Sequence, residues 1–90
     1  MLSLFYSMEA RYATLATIYD IVKHEFNPTG YTCQPNQIIL RQQLPWDSIM
    51  NHINDLASEG LVTVIGLGNS IYITDKGIQK LKTPGLITSN

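Results

Sequence analysis

Apolar residues at Phe5, Met8, Tyr12, Leu15, Tyr19, Val22 and Phe26 recur at steps of three and four, the spacing that gathers side chains on one face of an α-helix. Ala16 and Ile18 widen that stripe. The pattern predicts a first helix over about 5–26, stopped by Asn27-Pro28-Thr29-Gly30, because Asn tolerates a left-handed cap and Pro cannot continue a helix. Tyr31-Thr32-Cys33 is β-prone and long enough for a single bridge. Pro35 suits the first position of a second helix, over about 36–43, that carries Ile38, Ile39 and Leu40; Leu44-Pro45 breaks it. A third helix is expected over about 45–58. Asp47 stands in its first turn, where the helix dipole favours a carboxylate, Ile49, Ile53 and Leu56 form its inward stripe, and Gly60 closes it.

Past Gly60 the helical spacing gives way to "LVTVIGLGNSIYITDKG", two β-prone runs around a tip rich in glycine. Strands are expected over about 61–65 and 70–73, joined by Gly66, Gly68 and Asn69, residues that accept positive φ. Thr74 or Asp75 then caps a last short helix over about 75–82, which holds Ile78 and Leu81. The expected class is α+β, mainly α: three helices in the core, then a hairpin and a short last helix, in one domain over 1–90. A chain of 90 residues buries only about three-fifths of its unfolded surface and does not divide into two cores.

The stretch from Ile49 to Val62, "IMNHINDLASEGLV", matches the pattern V-x-x-x-[IL]-x-x-L-x-x-x-G-[LY]-[IV], and Tyr72 to Leu81, "YITDKGIQKL", matches Y-x-[IL]-T-x-x-G-x-x-x-L. Together these motifs resemble the recognition helix, wing and following helix of winged helix-turn-helix transcription regulators of the MarR and PadR kinds. With the preceding helix pair the resemblance covers about residues 10–82. It implies a winged helix-turn-helix whose helix-turn-helix spans about 35–58 and whose wing spans about 61–73. The third helix would then lie in the DNA major groove and the wing would reach the adjacent minor groove or backbone. The implied base-reading candidates are Asn51 and Asn54, with Trp46, Asp47 and Met50 beside them. Arg41, Gln42 and Asn69 would address the backbone. Asn suits the role, since its amide bonds bidentately to adenine. Ile39 stands where the resemblance implies a small Ala, which shifts the packing of the second helix on the third.

Charge alters this picture. The chain has a net charge of −1, and from Arg41 to Asp75 one base meets the four acids Asp47, Asp55, Glu59 and Asp75. The outward face of the third helix carries neither Lys nor Arg, and Leu67 occupies the wing tip where relatives place a base. Non-specific DNA affinity comes from neutralising phosphate, so a protein-interaction or assembly module on the same fold is the alternative to a sequence-specific DNA-binding regulator. A dimer would recruit Lys23, Arg41, Lys76, Lys80 and Lys82 along its rim.

Composition narrows the rest. An apolar fraction of 44% is enough for a packed interior and argues against disorder. A charged fraction of only 14% leans towards self-association. Leu2, Leu4, Phe5 and Met8 overhang the core that so small a domain can build, and predict a homodimer through the N-terminal helix, with help from the end after Leu81. The apolar start lacks a basic leader and meets Glu9 and Arg11 early, so it reads as part of the fold rather than as a signal peptide or membrane span. The single Cys33 has no internal disulfide partner, and no zinc spacing is present, which fits a reducing, cytoplasmic setting without metal or organic cofactor. Cys33 itself reads as a small buried residue near the first helix.

The constellation Ser48, His52 and Asp55 shares one helix face at spacings of four and three, but one helix supplies neither an oxyanion hole nor a cleft, so no enzyme is expected. Asp20 and His24 read as a solvated pair or as a mild contact with the C-terminal helix dipole. Gly66-Leu67-Gly68 lacks the third glycine and the following helix of a dinucleotide site and reads as a turn.

Overall fold

The structure, a computed structural model, describes residues 9–67 and 69–82. Its elements are α1 (Ala10–Val22), a 3-10 turn (Pro28–Gly30), α2 (Pro35–Gln42), α3 (Trp46–Ser58), β1 (Val62–Ile65), β2 (Ser70–Ile73) and α4 (Asp75–Leu81). The chain is therefore mainly helical, with one antiparallel hairpin. Helix α1 packs against α2, α3 and α4, and α2 packs against α3.

Helix α1 buries Tyr12, Leu15, Ile18 and Val22 together with Thr14. It ends at Val22, short of the expected residue 26. Lys23, His24 and Glu25 offer the core nothing apolar, and Phe26, assigned by its spacing to the inward stripe, projects fully into solvent. The expected stretch before residue 9, with Phe5 and Met8, lies outside the described residues.

Pro35 opens α2, and the Gln34 backbone N–H donates to Gln37 Oε1 at 2.8 Å, which satisfies one donor at the helix start. Successive residues turn by about 100° around a helix, so Ile38, Ile39 and Leu40 cannot all face inward. Ile38 is sealed, Ile39 packs at the core edge, and Leu40 is 77% exposed. The helix stops at Gln43, which adopts the left-handed conformation with φ 57°, and Pro45 precedes the first residue of α3.

Ile49, Ile53 and Leu56 of α3 are completely buried, each burial contributing about 1.5–3 kcal/mol relative to exposure. The helix ends in a Schellman arrangement. Gly60, at φ 77°, donates to the Ala57 carbonyl at 3.0 Å, and Leu61 N–H reaches back to the Leu56 carbonyl at 3.0 Å. In the hairpin, Val62 pairs with Ile73 and Val64 with Ile71. Val62, Ile71 and Ile73 face the core, while Thr63 and Ile65 face solvent. Ile71 also exchanges two backbone hydrogen bonds with Cys33, at 2.8 and 2.9 Å, so the one-residue bridge expected near Cys33 forms and β2 is paired on both edges.

Thr74 joins the hairpin to α4. Its Oγ1 accepts from Gly77 N–H at 2.9 Å and donates to the neighbouring carbonyls of Gly60 and Leu61, at 2.8 and 3.0 Å. Its own N–H donates to the Leu61 carbonyl at 3.1 Å. The T-x-x-G pattern is thus a cap that also fastens the end of α3. Gly77 is buried against that joint.

Candidate functional site

The residues that the sequence assigns to recognition lie on α2, α3 and the hairpin tip. On α3 the inward stripe leaves Asp47, Asn51, Asn54, Asp55 and Ser58 exposed on the outer face. By helical spacing Asp47, Asn51 and Asn54 share one line along the helix, and Trp46, Met50 and Asn54 share the adjacent one. Trp46 is 50% exposed, whereas Met50 is half-buried and packs against the core. Asn69 is exposed at the hairpin tip near Leu67, itself 95% exposed. No base stands on this part of α3 or at the tip.

Two assigned backbone contacts are engaged within the molecule. Arg41 Nη1 donates to Asp20 Oδ2 at 2.9 Å, joining the end of α2 to α1. Asp20 also holds Lys23 at 2.8 Å, and that hydrogen bond, with the charges of Lys23 and Arg41, keeps its carboxyl below the usual range. Asp20 is thus an exposed carboxylate paired with these two bases, with His24 acting on it through charge alone. Gln42 turns inward: the hydroxyl of Thr14, fully buried on α1, donates to Gln42 Oε1 at 2.8 Å. The Thr14 hydroxyl oxygen also lies 2.8 Å from His52 Nδ1 on α3. A hydroxyl has one proton, so the arrangement is satisfied with His52 donating from Nδ1. This node ties three helices together and gives His52 a structural partner on α1.

A second cluster escaped the spacing analysis because its members come from distant parts of the chain. Arg11 Nε donates to Glu59 Oε2 at 2.5 Å, Tyr12 Oη donates to Glu59 Oε1 at 2.8 Å, and Arg11 also pairs with Glu9. The Arg11 guanidinium and the Lys80 amine lie 4.4 and 5.1 Å from the Tyr12 ring centre. Hydrogen bonding to Glu59 raises the Arg11 pKa against the opposing effect of burial. Burial, then the bond to Glu59, raises that of Tyr12. Burial opposes ionisation of Glu59, yet the hydrogen bonds from Tyr12 and Arg11 outweigh it and hold the carboxyl below its ordinary value.

Cys33 is a fully buried thiol in the core, pushed up to about 11 by burial, so it is protonated and unreactive at neutral pH. Among the described residues no group of three or more His, Cys, Asp or Glu is placed to hold a metal ion, and no helix is long and apolar enough to cross a membrane. Comparison of the chain with family models, with curated proteins and with solved structures finds no match.

Proposed function

We propose that the chain is a winged helix-turn-helix domain and a small sequence-specific DNA-binding transcription regulator, acting in the cytoplasm as a dimer. In this reading α3 enters the major groove and the hairpin serves as the wing. The observation that carries it is the division of α3 between a sealed face and a face that presents the exposed carboxamides of Asn51 and Asn54, with the hairpin following directly. Fold alone does not assign a task; the argument rests on amides, which pair with base edges, standing where the helix is free to meet a groove.

Arg41 and Lys23 share Asp20, so the grip on phosphate is weak and depends on bases such as the exposed Lys76 and Lys82. Binding of labelled mixed-sequence duplex, followed by anisotropy across salt concentrations, tests the reading. Binding at low ionic strength with a shallow salt slope, each neutralised phosphate contributing about −0.9 to it, and loss of sequence preference in Asn51→Ala are the expected results. Absence of salt-sensitive binding at every ionic strength overturns it. The proposed dimer contacts at Leu2, Leu4, Phe5 and Met8 lie outside the described residues. Light scattering on the full chain and on one lacking residues 1–8 tests them, and a monomer in both cases removes the dimer.

One observation favours a second reading, a module that binds another protein. Leu40, Trp46, Ile65 and Leu67 are exposed apolar side chains, while Asp47 and Asp55 make the α3 face acidic. Failure to bind DNA together with salt-insensitive capture of a purified partner through Trp46 would select it.

A further inference from the structure

The nature of the duplex follows from what the arginines are doing, an inference that rests on the DNA reading above. The commonest specific contact to guanine is a bidentate arginine on its O6 and N7 acceptors. This chain has two arginines, and both are held by carboxylates: Arg11 by Glu9 and Glu59, and Arg41 by Asp20. Neither lies on α3. In their place the outer face of α3 offers two carboxamides, Asn51 and Asn54, and the carboxylates of Asp47 and Asp55, with the exposed Trp46 and the half-buried Met50 along its flank.

The amides and the apolar flank discriminate in the same direction. A carboxamide matches adenine, which presents the N6 amino donor beside the N7 acceptor. An apolar side chain matches the thymine methyl group. A carboxylate accepts from the amino group of adenine or of cytosine and opposes the two acceptors of guanine, so the acids do not by themselves separate A·T from G·C pairs. At the wing, Leu67 offers no donor or charge, and the minor groove of A·T pairs lacks the guanine amino group that would obstruct an apolar tip. We propose that the ligand of this face is an A·T-rich duplex, with adenine read by Asn51 and Asn54 and thymine by contact with Trp46 and Met50, no arginine standing on the face to read guanine.

The test is competition at low salt between an A·T-rich and a G·C-rich duplex of equal length, using the full chain. A preference for the A·T-rich duplex of about tenfold or more is expected. Replacing its adenines by deazaadenine, which lacks the N7 acceptor, should remove much of that preference. The double change Asn51→Ala with Asn54→Ala should do the same while leaving the urea midpoint near wild type, since both side chains are exposed. Equal affinity for the two duplexes overturns this inference and leaves DNA binding standing. A preference that survives both deazaadenine and the double variant also overturns it, since groove shape would then be the determinant. Binding to neither duplex overturns the inference together with the reading beneath it.

Discussion

Gly77 and Leu61 meet backbone to backbone: a methyl group added at Gly77 would lie 2.2 Å from the Leu61 carbonyl oxygen. That oxygen also accepts from Thr74 N–H, so it cannot withdraw without loosening the joint between α3, the hairpin and α4. Gly77→Ala is expected to destabilise the domain by about 2 kcal/mol or more through overpacking. Urea unfolding followed by circular dichroism checks it. A midpoint equal to wild type would show that the joint yields.

Gln43 illustrates the opposite case. It is exposed and left-handed at φ 57°, a conformation that costs an L-residue roughly 1–2 kcal/mol. Gln43→Gly relieves that cost and adds unfolded-state entropy of roughly 0.5–1 kcal/mol, so a net stabilisation below about 1 kcal/mol is expected. A lower thermal midpoint for the variant would contradict the cap.

Thr14→Val keeps the shape of the side chain and removes the hydroxyl shared by Gln42 and His52. Leaving these partners without their bond should cost about 1–3 kcal/mol. Because the lost contacts run from α1 to α2 and α3, amide exchange should quicken around His52 in the middle of α3 more than in the hairpin. Uniform quickening would place the node's effect elsewhere.

The Glu59 cluster sets a pH dependence. The carboxyl titrates below its ordinary value in the folded chain, and the ordinary value is about 4.3. A depressed folded pKa gives stability that is present above the unfolded value and is lost as pH falls through the folded one. The difference in urea midpoint between wild type and Glu59→Gln should therefore be constant near neutrality and shrink below about pH 4. A difference that grows on acidification would show that other groups dominate.

The periodic features were legible because they follow from local geometry. Ile49, Ile53 and Leu56 declared the inner face of α3, Gly60 its end, and Thr74 or Asp75 the cap of α4, a role that falls to Thr74. The candidate face was readable for the same reason: once the inner stripe is known, Asn51 and Asn54 must lie opposite it. Phe26 was misread because a spacing of four persists in sequence even where the polar run Lys23 to Glu25 gives the helix no reason to continue. Which of Ile38, Ile39 and Leu40 faces the core was not legible, because three successive apolar residues conceal which of them a helix turns inward. The stop near Gln43 was announced by Leu44-Pro45, whereas the left-handed turn of Gln43 itself carried no glycine to mark it. The engagements of Gln42 with Thr14, and of Arg41 with Asp20, join residues 28 and 21 positions apart, beyond the reach of any helical repeat.

The exchange of hydrogen bonds between Cys33 and Ile71 makes the hairpin a lever with a fixed fulcrum. Val62 and Ile73 at its base and Ile71 beside Cys33 are held in the core, whereas Gly66, Leu67 and Asn69 lie past the last pair, Ile65 with Ser70. Length or chemistry altered at that tip should register in how far the domain reaches along a ligand, with little change in how firmly it folds.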